Sequence, residues 1–146
     1  MSPQAIVIHE RLHGWARQLR PRLAGHAIAW VESRSAEDLA RALRGAAVPI
    51  VVVDLGDAPA RRLDDVALAR REASDALILA LDPRDRPGVA VQAREFGATR
   101  VVSGVATPPE VASIIARWLP LAGRRALACG WSESIAEPTR GATRVP

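Results

Sequence analysis

Five short apolar runs, at residues 5–8, 27–31, 49–53, 76–81 and 100–102, alternate with longer amphipathic stretches, and this alternation constrains the fold more than any other feature of the chain. Runs this short, rich in Val and Ile and bounded by turn residues, read as strands. The segments between them carry helical spacing. Residues 11–23 place Leu12, Trp15, Ala16 and Leu19 at that spacing, and residues 35–43 open with Ser35-Ala36-Glu37-Asp38, a capping-box arrangement. Residues 60–73 and 88–96 follow the same logic, the latter closed by Gly97. The last helix, 108–119, has Thr107 as its N-cap, prolines in its first turn, and Val111, Ile114, Ile115, Trp118 and Leu119 as a wide apolar set. Strict alternation of near-continuous apolar strands with helices predicts an α/β fold whose parallel sheet is covered on both faces. Five such units in about 120 residues suit a flavodoxin-like, doubly wound five-stranded sheet of order 2-1-3-4-5.

A chain of 146 residues is long enough for one domain and short for two. The pattern stops near Gly123. The expected division is therefore a folded domain over residues 1–122 and a flexible C-terminal tail over 123–146, with at most one short helix around Leu127. No apolar run approaches the roughly 20 residues of a membrane span, and the N-terminus lacks the pattern of a signal peptide, so a cytoplasmic protein without membrane contact is expected. The single Cys129 can form no disulfide within the chain and no cysteine-rich zinc site. The formal charge is +4, yet all 20 basic residues are Arg and Lys is absent. These arginines are dispersed among Asp and Glu with no aromatic interleaving, which speaks against nucleic-acid binding.

Function is decided at the carboxyl ends of the strands, where a doubly wound sheet opens. Strand one ends in Ile8-His9-Glu10, strand three in Val53-Asp54, strand four in Leu81-Asp82-Pro83, and strand five in Ser103-Gly104. The order and spacing of elements, the aspartate closing Pro49-Ile-Val-Val-Val-Asp54-Leu, and the Gly97-Ala98 pair before strand five resemble the response-regulator receiver domain, CheY-like in fold, over residues 5 to 119. In that family an acidic pair after strand one holds Mg²⁺, an Asp after strand three accepts a phosphoryl group, a hydroxyl residue follows strand four, and Lys-Pro follows strand five. Carried over, the acidic pair becomes His9 and Glu10, the acceptor is Asp54, Asp82 stands at the hydroxyl position, and Gly104-Val105 replaces Lys-Pro.

The departures carry the functional reading. With no Lys in the chain, nothing of that type neutralises phosphoryl oxygens, and a carboxylate at Asp82 repels the incoming group that a hydroxyl would bind. The resemblance therefore implies a pseudo-receiver: a two-component signalling fold that is not an enzyme and acts by protein–protein interaction, with His9, Glu10, Asp54, Asp82 and Gly104 as a vestigial acceptor pocket. The plainer alternative for Asp54 is a polar residue closing a strand and capping the next turn. No cofactor is expected beyond weak Mg²⁺ held by the carboxylates. The family's surface of fourth helix, fifth strand and fifth helix directs partner contact or homodimerisation to residues 88–119, with Arg94, Arg117 and Trp118 as the interface residues.

Two alternatives stand beside this. One is a stand-alone regulator still phosphorylated on Asp54. The other is a zinc-dependent hydrolase, because His9-Glu10-Arg11-Leu12-His13 spells H-E-x-x-H, which on a helix aligns two imidazoles on Zn²⁺ with a Glu to activate water. That motif begins on a strand, and nothing selects Glu32 or Glu37 as a third ligand. His26 reads as a turn residue, Trp30 as a packing residue, and Trp131 as a second docking candidate.

Overall fold

The computed structural model describes residues 3–12 and 14–130. Along the chain β1 (Gln4–His9), α1 (Trp15–Arg22), β2 (Ile28–Ser33), α2 (Ala36–Arg44), β3 (Ile50–Asp54), α3 (Pro59–Glu72), β4 (Leu77–Asp82), α4 (Val89–Phe96), β5 (Arg100–Ser103) and α5 (Pro108–Ala128) alternate strictly. The strands form one sheet of order β2-β1-β3-β4-β5, every pair parallel. This is the predicted architecture, and the reason is the two-residue period of the strands. Ile6, Ile8, Ile50, Val52, Leu77 and Leu79 face α1 and α5, where they meet Leu19, Ile115 and Trp118. Val7, Val51, Val53, Ile78 and Ala80 face the other way, onto Leu39, Leu43, Leu63, Val66 and Ala93 of α2, α3 and α4. Each buried Val, Leu or Ile contributes about 1.5–3 kcal/mol of burial free energy, so both faces are needed to offset chain entropy.

Two predicted caps form. Ser35 Oγ accepts the Asp38 N–H at 3.1 Å, and Thr107 Oγ1 accepts the Glu110 N–H at 3.3 Å while its hydroxyl donates to the Glu110 carboxylate. Two helix bounds differ from expectation. The first helix starts at Trp15 rather than residue 11, leaving Leu12 76% exposed, because the Glu10 carboxylate gathers the backbone N–H groups of Gly14, Trp15 and Ala16 and so sets the first turn. The fifth runs unbroken to Ala128 through Pro120 and Gly123, so the boundary placed at 122 falls inside a helix. Pro120 forfeits one backbone hydrogen bond on an exposed face, while Ala122 and Ala126 continue the packing against the core that Trp118 begins. Trp131 and the rest of 131–146 lie outside the described residues.

Arg70 at the end of α3 fixes the turn before β5. Its guanidinium donates to the carbonyls of Gly97 (2.7 Å), Ser74 (2.7 Å) and Ala76 (2.9 Å). Gly97 has φ +122°, and a Cβ there would fall 2.8 Å from Arg70 Cβ, so only glycine fits under this arginine. Burial, reinforced by the neighbouring Arg125 charge and opposed by Asp75, lowers the Arg70 pKa from its ordinary value.

Candidate functional site

Parallel strands bring Glu10, Asp54 and Asp82 to one edge of the sheet, at the ends of β1, β3 and β4. Their carboxylates are already committed within the protein. Glu10, 5% exposed, caps α1: Oε1 accepts from Gly14 at 3.1 Å, and Oε2 from Trp15 at 3.0 Å and Ala16 at 3.3 Å. A carboxylate against a helix N-terminus is also favoured by the helix dipole. Asp54, half-buried, accepts the Gly56 N–H on Oδ1 at 2.9 Å and the Trp15 indole N–H on Oδ2 at 3.2 Å. Asp82 is fully buried and accepts twice from one residue, the Arg86 backbone N–H at 2.7 Å and Arg86 Nη1 at 3.3 Å.

Arg86 is the residue sequence reasoning missed. It belongs to the turn-rich stretch after β4, where alternating charges read as solvation, yet its Nη2 donates to the Gly56 carbonyl at 2.8 Å. The guanidinium thus spans from Asp82 to the loop that follows Asp54. A second bridge, Arg84 to Asp57, joins the same two loops at the surface. The turn that presents Arg86 passes through Asp85 at φ +48°.

His9 does not belong to this pocket. It shares the strand parity of Val7, so its ring enters the opposite face, where it is completely buried. Nδ1 lies 2.8 Å from the Ser33 hydroxyl, its register partner on β2, and Nε2 lies 2.7 Å from Asp65 Oδ2 on α3. Arg62 Nη1 closes the group, standing 2.8 Å from Nε2 and 3.3 Å from Asp65 Oδ2.

Gly104 follows β5 with φ +89° and donates its N–H to the Asp82 carbonyl at 2.8 Å. The residue opposite Asp82 in register is Ser103, exposed at the strand end. Of the interface candidates, Arg94 and Arg117 are exposed, with Arg117 3.4 Å from the Ser113 hydroxyl. Trp118 is a correction: 8% exposed, it packs in the core with Ile114 and Ile115, because α5 buries nearly all of its apolar set against the sheet and α1. Beside Arg117 a groove of about 580 Å³ runs between β5 and α5, lined by Arg100, Val102, Ser103, Glu110 and Ser113.

Among the described residues neither metal arrangement raised by the sequence is assembled. His9 lies on a strand with both ring nitrogens engaged, and His13 is outside the described residues. Among the described residues no three His, Cys, Asp or Glu side chains are placed to hold an ion. The Mg²⁺ that a receiver carries does not fit this donor set, since Glu10 is spent on α1, His9 has left the pocket, and Asp82 holds a guanidinium. No helix among the described residues is long and apolar enough to cross a membrane.

No family model matches the chain, and no curated protein sequence matches it. Solved structures do. A response regulator from Burkholderia pseudomallei, described with a phosphorylated aspartic acid, calcium ion and citrate, is 22% identical over 86% of this chain and 72% of its own, with a TM-score of 0.63. The chemotaxis protein CheY4 of Vibrio cholerae is 17% identical over 81% of this chain and all of its own, at 0.64. A CheY-like receiver domain from Methanospirillum hungatei JF-1 reaches 0.71 at 10% identity, over 85% of this chain and 99% of its own. At the level of the backbone, with its β2-β1-β3-β4-β5 sheet and five covering helices, the chain has the fold of the response-regulator receiver domain.

Proposed function

We propose that the protein is a pseudo-receiver: a non-enzymatic signalling module, cytoplasmic in setting, that acts through contact with another protein and independently of phosphorylation at Asp54. The observation that carries this reading is the commitment of all three pocket carboxylates to internal donors, Glu10 to α1, Asp54 to Trp15 and Gly56, and Asp82 to Arg86. Phosphoryl transfer to a carboxylate depends on preorganised cations and donors aimed at the transferred oxygens. Here the donors point at carboxylates instead, and the position after β4 offers a carboxylate engaged by Arg86 where a hydroxyl would donate to the incoming group. The exposed Arg94 on α4 and Arg117 at the β5–α5 groove are the proposed contact residues, toward a partner protein or a second copy.

Acetyl phosphate or beryllofluoride with Mg²⁺ is expected to leave the purified protein unchanged in intact mass and in its thermal midpoint. A stoichiometric aspartyl phosphate, absent from Asp54→Ala, overturns the reading and restores the phosphorylatable regulator. For the contact surface, Arg94→Glu with Arg117→Glu should preserve the circular dichroism spectrum while weakening self-association or partner capture. Wild-type binding by that variant moves the interface elsewhere.

A further inference from the structure

Building on the reading of a pocket without phosphoryl chemistry, we infer that Arg86 is its resident cation, a tethered guanidinium filling the role that a dissociable ion would otherwise fill. Three observations support this. Asp82 is wholly buried, and a buried carboxylate requires a partner charge. Arg86 supplies it and is itself only 25% exposed at the side chain. Its second terminal nitrogen takes the Gly56 carbonyl, and the N–H of the same Gly56 holds Asp54, so one cation links oxygens from the ends of β3 and β4. Arginine suits this role because its planar fork bonds two acceptors at once.

A tethered cation differs from a bound one in that it cannot be lost to solvent, so the link between loops 55–58 and 83–88 does not depend on the supply of a dissolved ion. The β4–α4 loop is anchored at its base by the Arg86 N–H on Asp82 and across its mouth by the side chain on Gly56.

The test compares the melting midpoint of wild type, Arg86→Lys, Arg86→Ala and Arg86→Ala with Asp82→Asn, each titrated with MgCl₂ and MnCl₂ and with NaCl at matched ionic strength. Arg86→Ala is expected to melt about 5–10 °C lower, with part of that loss restored saturably by either divalent cation and not by NaCl. Wild type and Arg86→Lys should not respond to the divalent cations. The double variant should recover stability without them, because the unpaired buried charge is gone. A wild type that responds as strongly as Arg86→Ala, or an Arg86→Ala variant with no saturable response, overturns the inference. Should Arg86→Ala not fold, the double variant decides: a midpoint below that of Arg86→Lys by the same margin shows that packing rather than charge holds the residue, and the inference fails. The adaptor reading falls only on aspartyl phosphate formation by wild type, so the two can fail separately.

Discussion

His9 and Glu10 are neighbours at the end of β1, yet they build opposite kinds of site. His9 enters a closed interior between β1, β2 and α3, where Ser33, Asp65 and Arg62 surround it and every polar atom has a partner. Glu10 turns to the open edge, where it anchors α1 beside a half-buried Asp54 and the Arg86 bridge. One peptide unit separates a permanent structural network from the margin of a pocket. The difference teaches that adjacent polar residues at a strand end are two positions with separate duties, because strand parity sends the first to the α3 side of the sheet and leaves the second at its edge.

The largest expected effect tests the closed side. Asp65→Ala removes the carboxylate shared by His9 and Arg62 and should cost about 3 kcal/mol in urea unfolding, because it leaves a buried guanidinium without its counter-charge, with only the Arg34 carbonyl as acceptor, and strips one partner from a buried imidazole. A loss below about 1 kcal/mol would mean the network is no more than a surface ion pair in effect. Next comes the open side. Glu10→Ala should cost about 1–2 kcal/mol, the scale of a lost helix cap, since water can reach the freed N–H groups more easily there. Equal costs for the two variants would break the contrast between interior and edge.

The smallest effect concerns a third, fully exposed pair at the opposite end of the sheet. Cys129 Sγ lies 3.0 Å from Asp75 Oδ2, and that hydrogen bond is the first cause holding the thiol pKa above its ordinary value, with the Asp75 charge adding to it and the Arg125 charge opposing it. A raised pKa means less thiolate at a given pH, so iodoacetamide should alkylate Cys129 slowly at pH 8 and faster as pH rises. Asp75→Asn should speed the reaction at pH 8 by several-fold while leaving urea unfolding unchanged. An unchanged rate in that variant would show that the pair is not formed in solution.

The strands, their order and the placement of Asp54, Glu10 and Asp82 at one edge were legible because each rests on local pattern: short apolar runs alternating with helical segments, a strand-closing acid, a capping serine at Ser35. What escaped the sequence rests on tertiary partners. Asp65 and Arg62 sit i, i+3 on α3 and resemble a solvated pair until β1 is laid against them, 56 residues away from His9 to Asp65. Arg86 is hidden among the alternating charges of residues 82–88, and nothing local says that its fork reaches Gly56. Pro120 and Gly123 signal a helix end by propensity, and packing of α5 against α1 overrides them. Trp118 misled for the converse reason, since an apolar set wider than one sheet face suggested surface where α1 supplied more interior.

Arg70 has a mechanical consequence. A four-residue strand at the rim of a sheet, paired on one side only, is ordinarily the first part of a domain to fray. Here the approach to β5 is clamped at Gly97 by a side chain rooted in α3, and Thr99 Oγ1 further accepts the Ile78 N–H of β4 at 2.9 Å. The rim strand and the end of α3 are therefore expected to open and close as one cooperative unit, so that amide exchange along β5 reports the firmness of the helix three elements earlier.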